Sequence, residues 1–118
     1  MSHENNTREI TDYLNDINDS IADISNFIAD MTIQEFESDK KTQYAVVHCL
    51  EVIGEAVKKI PTDLRNQYPH IPWKEFAGMR DKLIHEYFGV DLETVWTTII
   101  DDIKPLKDSI VQILEGIQ

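Results

Sequence analysis

The amino-acid sequence predicts an all-α protein, an antiparallel bundle of four to five helices in one domain over residues 1–118. Apolar residues recur at steps of three and four in separate stretches, which is the spacing of an amphipathic helix. No stretch alternates between apolar and polar residues as a half-buried strand does. The apolar share of 42%, with only four glycines and four prolines, favours a folded chain over a disordered one. Residues 1–6 are predicted to fray.

The first helix is predicted from apolar residues in heptad steps, a pattern typical of a bundle core or of a helix–helix dimer face. Its members are Ile10, Leu14, Ile17, Ile21, Ile24 and Ile28. The aspartates of this stretch fall on the other faces of the helix. We therefore interpret them as its solvated side.

Thr32 and Glu35 are predicted to form a capping box that opens a short turn through Phe36. The next helix is predicted from about Asp39 to Ile60, where Pro61 stops it. Gly54 inside this helix indicates a close approach of another helix. Glu55 is either a solvated residue or the partner of a buried cation. The predicted inward residues are Tyr44, Val47, Leu50, Val57 and either Ile53 or Gly54.

The segment from Pro61 to Pro72 is predicted to be the main connection, with one short helical turn around Leu64. Pro72 suits the first turn of the next helix. This helix carries a stripe at steps of three and four, namely Trp73, Phe76, Arg80, Leu83 and Tyr87. An arginine on an apolar stripe needs anionic or carbonyl partners.

Asp91 is predicted to cap the last helix, and Pro105 is predicted to remove one of its backbone hydrogen bonds and to bend it. The predicted apolar seam is Leu92, Trp96, Ile99, Ile103, Leu106, Ile110, Ile113 and Ile117.

The charge of the chain is strongly negative and unevenly distributed. The formal net charge of −11 argues against a general nucleic-acid coat protein, because non-specific affinity comes mainly from cations on phosphates. The stretch from Asp12 to Asp39 holds eight acids and no base, whereas the stretch from Lys58 to Lys82 holds six bases and three acids. A local basic cleft therefore stays compatible with the sequence.

The single cysteine, Cys49, and the absence of a signal peptide favour a reducing cytoplasm. Cys49 is predicted to be a small buried hydrophobic residue. The adjacent His48 points about 100° away on a helix, so the two do not share a metal easily. We expect no metal, no cofactor and no membrane span.

Residues 80–87 gather a permanent cation, Arg80, an imidazole, His85, and a phenol, Tyr87. These groups match the parts that RNA cleavage without a metal requires. A base takes the proton of a 2′-OH, a cation stabilises the charge on phosphorus, and an acid protonates the departing 5′ oxygen. The same set would also fit a non-catalytic phosphate site.

A straight helix does not direct these three groups to one point. Residues five apart differ by about 140°, so Arg80 and His85 diverge, whereas Arg80 and Tyr87 differ by only about 20°. Either the helix distorts near Gly89, or the long Arg80 side chain wraps round, or a second copy contributes. We favour a two-fold homodimer with one composite cleft.

Three segments of the chain together resemble the HepT-like family of HEPN-superfamily ribonuclease toxins. They are Leu-Glu-Val-Ile-Gly-Glu-Ala at 50–56, Ile-Pro-Trp-Lys-Glu-Phe-Ala-Gly-Met-Arg-Asp at 71–81, and Leu-Ile-His-Glu-Tyr-Phe-Gly-Val-Asp at 83–91. The R-x-x-x-x-H spacing alone is weak evidence. With the His-Glu-Tyr-Phe-Gly-Val-Asp run attached and Gly-Glu-Ala upstream, the match is specific.

The resemblance implies a metal-independent endoribonuclease of a type VII-like toxin–antitoxin pair, active as a homodimer on an RNA substrate. It carries Arg80 and His85 over as catalytic residues and Tyr87 as the motif tyrosine. The family's antitoxin is a minimal nucleotidyltransferase, which can silence the toxin by transferring AMP from ATP onto that tyrosine. Asp81, four residues before His85, is a plausible auxiliary that orients the imidazole.

Two other interpretations compete with the ribonuclease. One is a non-catalytic HEPN module that binds a nucleotide or serves as a scaffold for the transferase. The other is a helical bundle in which Arg80, His85 and Tyr87 merely satisfy one another.

Overall fold

The computed structural model describes residues 9–78 and 92–117. The predicted fraying at 1–6, the Asp91 cap and the motif lie outside these ranges. Within them the chain forms helices and turns and no strand, which confirms the predicted all-α bundle. The elements are α1 Ile10–Phe27, α2 Ile33–Glu37, α3 Lys40–Lys58, α4 Thr62–Asn66, α5 at 73–78, α6 Leu92–Thr97, a π-helical turn Thr98–Asp102, and α7 Ile103–Ile117.

Helix α1 presents its predicted stripe to the core. Glu9 precedes the helix, and its backbone N–H donates to the Asp12 carboxylate over 3.0 Å. The central members of the stripe are at most 1% exposed, and they are Leu14, Ile17, Ile21 and Ile24. Burying each of these side chains stabilises the fold by about 1.5–3 kcal/mol. The first member, Ile10, remains 37% exposed.

Helices α1 and α3 form the largest helix pair and run antiparallel, while α7 packs against α1. The direction follows from two pairings along the interface. The charge of Asp23, near the end of α1, acts on Cys49 in the middle of α3. Tyr13, near the start of α1, lines a groove together with Lys59, which follows the last residue of α3.

Helix α2 begins with the predicted capping box, which is confirmed. The N–H of Glu35 donates to the Thr32 hydroxyl over 3.1 Å, and the N–H of Thr32 donates to the Glu35 carboxylate over 2.9 Å. This short helix places Phe36 fully in the core. The Phe36 ring lies 5.3 Å from the Trp96 ring, so α2 joins the first half of the chain to α6.

The predicted inward residues of α3 are confirmed except for Tyr44, which is 53% exposed. Gln43 takes the inward position because its side-chain amide donates hydrogen bonds to backbone carbonyls. Its Nε2 donates to the Phe36 carbonyl over 2.8 Å and to the Glu37 carbonyl over 3.0 Å, at the end of α2. The two open choices, Ile53 and Gly54, are both buried. An apolar pattern could not reveal this inward glutamine.

Replacing Gln43 by leucine is expected to lower the free energy of unfolding by about 1–3 kcal/mol, because two carbonyls at the end of α2 lose a buried donor. Leucine is of similar size, so a cavity does not account for the loss. Urea denaturation measures the effect. Gln112→Leu, at an exposed position of α7, is the matched control and should change stability by no more than about 0.5 kcal/mol. Equal effects in the two variants would contradict the assigned role of the amide.

The connection between α3 and α5 also follows the prediction. α4 forms the short helix around Leu64, and Pro61 precedes it. Trp73 and Phe76 of α5, with Ile71 just before it, are at most 7% exposed. Helix α5, which precedes the motif, therefore packs against the core.

The last helix departs from the predicted seam at both ends. Val95 is buried, Leu92 and Trp96 are half-buried, and Ile117 is 47% exposed. The central members are confirmed as core residues, and they are Ile99, Ile103, Leu106, Ile110 and Ile113. The π turn explains why Val95 is buried in place of Trp96. Val95, Ile99 and Ile103 follow one another in steps of four residues, and the wider π turn keeps them on one face of the helix.

The π turn also lies where Pro105 demands an adjustment. A proline ring clashes with the carbonyl four residues earlier, which here belongs to Asp101 within the π turn. Pro105 itself is exposed. The helix therefore accommodates this proline by widening before it.

Candidate functional site

The four predicted site residues, Arg80, Asp81, His85 and Tyr87, lie at 79–91, outside the described residues. Their mutual geometry, and hence the composite cleft, stays a prediction. The structure shows instead how the chain is held immediately before and after this segment, and which charges lie there.

Before the segment, α5 is fixed by its aromatic residues and by the turn ahead of it. The Trp73 indole N–H donates to the Tyr68 carbonyl over 3.0 Å. His70 Nε2 lies 3.1 Å from the hydroxyl oxygen of Ser109, a buried residue of α7. These bonds tie the connecting turn to α5 and to α7. The first two members of the predicted stripe, Trp73 and Phe76, are thereby confirmed as core residues.

After the segment, α6 also packs against the core. Val95 is 6% exposed, and Trp96 packs against Phe36. Residues 79–91 therefore connect two helices that are both anchored in one core. The scaffold on either side is suited to hold a site, because catalytic groups need rigid supports.

The elements described before and after the segment carry an acidic cluster. Burial raises the pKa of the Asp102 carboxyl, and the negative charges of Asp101 and Glu75 raise it further. Glu75 belongs to α5, whereas Asp101 and Asp102 belong to the π turn. The electrostatic effect therefore acts between these two elements. The field of these carboxylates repels an anion, so a phosphate has to be held by cations elsewhere. The pattern of the sequence did not reveal this electrostatic effect, because Glu75 and Asp102 are far apart in the chain.

Replacing Asp102 by asparagine is expected to stabilise the protein at neutral pH. A carboxyl whose pKa is raised in the fold destabilises the folded state when it is ionised. This penalty is present at pH 7, shrinks as the pH falls through the raised pKa, and vanishes below the ordinary value of 3.8. Thermal unfolding at a series of pH values should show a gain that decreases toward acid.

Asp108→Asn, at an exposed position of α7, is the matched control for that experiment. It removes the same charge without relieving the repulsion of Asp102 by Asp101 and Glu75. A stabilisation of the same size in both variants would mean that only net charge matters.

Glu55 is an exposed residue, as its interpretation as a solvated side chain requires. Its carboxylate oxygen lies 3.6 Å from Nζ of Lys58, which is also exposed. Exposed pairs of this kind contribute at most about 1 kcal/mol. Three cations of the basic stretch from Lys58 to Lys82 are exposed, namely Lys58, Lys59 and Lys74. They are thus accessible to an anionic ligand.

Cys49 is buried, which confirms the prediction. Burial raises the pKa of its thiol to about 11, and the charge of Asp23 adds to the shift. A thiol with this pKa is a poor nucleophile near neutrality. Among the described residues, no group of three or more His, Cys, Asp and Glu side chains is arranged to hold a metal ion. No helix in the described ranges combines the length and apolar character that a membrane crossing needs.

The described residues form an all-helical fold, and the motif lies in the chain between α5 and α6. The sequence profile described as "Ribonuclease HepT-like" matches residues 17–113, a range that includes the whole motif. The chain belongs to this HepT-like ribonuclease family.

Named relatives agree with this membership. "Putative RNase MJ0125" of Methanocaldococcus jannaschii is 54% identical over 111 residues, covering 94% of this chain and 96% of the relative. "Probable ribonuclease HepT" of Thermococcus cleftensis is 51% identical over 100 residues, covering 85% and 91%. "Putative RNase TTE0752" of Caldanaerobacter subterraneus is 46% identical over 85 residues, covering 72% and 76%. No solved structure matches the chain significantly.

Proposed function

We propose that this protein is a metal-independent endoribonuclease and the toxin of a toxin–antitoxin pair. The observation that carries the proposal is the family match over residues 17–113, a range that includes the segment from Arg80 to Asp91. The anchoring of the chain on both sides of the motif supports it. The single cysteine is consistent with action in a reducing cytoplasm.

The chemistry assigns one role to each motif residue. His85 acts in proton transfer, either from the attacking 2′-OH or to the departing 5′ oxygen, because an imidazole titrates near neutrality. The 2′ oxygen forms a bond to phosphorus as the bond to the 5′ oxygen breaks. Arg80 binds the phosphate, because its planar fork stays charged and reaches two oxygens. Asp81 orients His85, and Tyr87 positions the phosphate or a base.

The active form that we propose is a homodimer with the site between two motif helices. Helix geometry is the reason, since Arg80 and His85 diverge by about 140° on a straight helix. A two-fold axis can bring Arg80 of one protomer toward His85 of the other. A monomer in analytical ultracentrifugation at micromolar concentration would contradict this arrangement.

Silencing is proposed to occur at Tyr87. A minimal nucleotidyltransferase would transfer AMP from ATP, so that the tyrosine oxygen bonds to the α-phosphate and pyrophosphate leaves. The bulky anionic adduct would repel the RNA phosphate and fill the cleft. Intact-mass measurement of protein coexpressed with such a transferase should show an AMP increment that is absent from Tyr87→Phe.

Expression in a bacterial host tests the proposal as a whole. Wild-type protein should arrest growth, and both Arg80→Ala and His85→Ala should relieve the arrest. His70→Ala is the control, because it removes an imidazole and the contact with Ser109 but leaves the motif intact. It should still arrest growth. Purified wild-type protein should cleave RNA in the presence of EDTA.

Intact RNA after incubation with a folded, dimeric protein would overturn the enzymatic proposal. Tight binding to a nucleotidyltransferase in that case would favour the non-catalytic module. Cleavage that EDTA abolishes would overturn the metal-independent mechanism alone.

A further inference from the structure

One side of α5 stays outside the core, and it carries Lys74 and Gly78. Trp73 and Phe76 are buried on the other side of the helix. Lys74 and Gly78 are both exposed. Residues four apart differ by only about 40° on a helix, so these two lie one turn apart on a common face. This face, defined by Lys74 and Gly78, is called the outer face of α5.

Gly78 is a glycine that the described structure does not itself require. Its backbone is helical and its φ is not in the left-handed region, so no turn demands a glycine. No atom from another part of the described chain lies within 4 Å of the position that a Cβ would take on Gly78. No neighbouring helix therefore demands a glycine either. A glycine in a helix lowers stability relative to alanine, and room for a molecule that approaches from outside is the physical reason that remains.

Lys74 places a positive charge beside this open position. Within the described ranges its ammonium group has no ion pair. The neighbouring acid, Glu75, lies about 100° further round the helix, and its charge acts on Asp102 of the π turn. The outer face of α5 is therefore locally positive and free of bulky side chains next to the glycine.

The outer face is directed along the chain toward the proposed proton-transfer residue. Seven residues separate Gly78 from His85, which is about two turns of a continuous helix and a difference of only about 20° in direction. On the helix that the sequence predicts through the motif, Lys74 shares this direction and lies roughly 16 Å from His85 along the axis. A strand that follows this face would reach the imidazole.

We propose that the outer face of α5 is an RNA subsite, in which Lys74 binds a backbone phosphate and Gly78 lets the sugar–phosphate backbone pass close to the helix. The inference rests on the proposed ribonuclease function. It accounts for the way in which a chain with a formal charge of −11 holds a polyanion. A lysine supplies the local charge that a phosphate needs, and the bare helix surface beside it keeps the strand within reach of that charge.

The binding probe is a fluorescein-labelled 10-nucleotide RNA of mixed sequence with 2′-O-methyl groups, which has no 2′-OH to attack phosphorus and stays intact. Fluorescence anisotropy with the full-length protein gives the Kd at several salt concentrations. Lys74→Gln should weaken binding and should reduce the slope of log Kd against log salt by about 0.7, the contribution of one phosphate contact on a single strand.

Lys107→Gln is the matched control for this charge. Lys107 is exposed on α7, and it lies about 160° round that helix from Ser109, the residue that contacts His70 ahead of α5. The control removes the same charge from the chain, so it should leave the salt slope as in the wild type.

A size series at Gly78 tests the need for space. Gly78→Ala and Gly78→Leu should keep or raise the midpoint of thermal unfolding, because the added Cβ meets no other part of the described chain and the helix propensity improves. Gly78→Leu should nevertheless weaken binding of the probe by about 10-fold or more, and Gly78→Ala by less. Gly116 offers the matched series, because it is exposed on α7 and its Cβ position is equally open. Gly116→Leu should change the Kd by less than about two-fold.

Steady-state kinetics with a cleavable RNA separate a binding contact from a catalytic one. Lys74→Gln should raise KM and leave kcat within about two-fold of wild type, because a phosphate contact away from the reacting atoms binds the substrate and the transition state alike. A fall in kcat without a change in KM would contradict the assigned role of Lys74.

Equal effects of Lys74→Gln and Lys107→Gln on the salt slope would overturn the proposal. So would equal effects of the two leucine variants, or a wild-type protein that does not bind the probe. Analytical ultracentrifugation of Gly78→Leu adds a further check, since a changed oligomeric state would assign the glycine to a contact between protein chains instead of RNA.

The subsite and the ribonuclease proposal fail in different ways. If wild-type protein cleaves RNA and the Lys74 and Gly78 variants cleave it equally well, the subsite is wrong and the ribonuclease stands. If the probe binds through Lys74 and Gly78 while cleavable RNA stays intact, the subsite stands and only the ribonuclease proposal fails.

Discussion

Replacing His85 by alanine is expected to lower the rate constant for RNA cleavage by about 10²–10⁴-fold, the usual contribution of a positioned acid or base. The loss should fall on kcat, because the imidazole moves a proton in the transition state and adds little to substrate binding. A fluorogenic RNA oligonucleotide, cleaved under single-turnover conditions in EDTA, measures both the rate constant and its dependence on protein concentration.

Arg80 provides the companion measurement. Arg80→Ala should cost about 10²–10³-fold, since one stabilising group for the developing charge is lost. Arg80→Lys keeps the charge but loses the bidentate fork, so it should recover only part of the activity. Mixing the Arg80→Ala and His85→Ala proteins tests the composite cleft, because a mixed dimer contains one site with both native residues.

The control for both substitutions is His70→Ala. It costs the contact with Ser109, so it should lower stability slightly while leaving the cleavage rate within about two-fold of wild type. Loss of activity in this variant would show that destabilisation alone explains the motif variants. Full activity of His85→Ala in a folded protein would exclude the imidazole from the mechanism.

The sequence predicted the parts of the fold that rest on local chemistry. The α1 stripe, the Thr32–Glu35 capping box and the proline-bounded connection around Leu64 all depend on neighbours within one or two turns. Hydrophobic periodicity and capping preferences describe such neighbours directly. These predictions were therefore confirmed almost residue by residue.

The errors arose where the outcome depends on more than the apolar pattern of one regular helix. Tyr44 was predicted to point inward, but Gln43 is the buried residue, because its amide donates hydrogen bonds to two carbonyls at the end of α2. The seam of the last helix shifted because a π turn lies before Pro105. The groove between α1 and α3 is likewise created by pairing helices that are separated in the chain.

The candidate site was predicted by residue type and spacing, without any help from packing. Arg80, His85 and Tyr87 were chosen because no other stretch gathers as many such groups and because their segment resembles the HepT-like motif. Their roles stay a prediction. The spacing of residues on one helix could not show whether the Arg80 side chain reaches round its own helix or whether a second chain completes the cleft. That choice depends on a second chain, which the mixed-dimer experiment tests.

Phe36→Ala is expected to cause the largest loss of stability, about 3–5 kcal/mol, because it empties a fully buried aromatic site. A domain of this size is stable by only about 5–15 kcal/mol, so the variant should be near the edge of folding. The loss includes the contact with Trp96, whose ring centre lies 5.3 Å away. Urea denaturation monitored by circular dichroism measures the effect.

Phe27→Ala is the matched control, since this phenylalanine of α1 is 42% exposed. It should cost about 1 kcal/mol or less. A double-mutant cycle of Phe36→Ala with Trp96→Ala should give a coupling of about 0.5–1.5 kcal/mol, the contribution of an aromatic pair beyond its buried area. Equal losses in Phe36→Ala and Phe27→Ala would contradict the placement of Phe36 at the centre of the core.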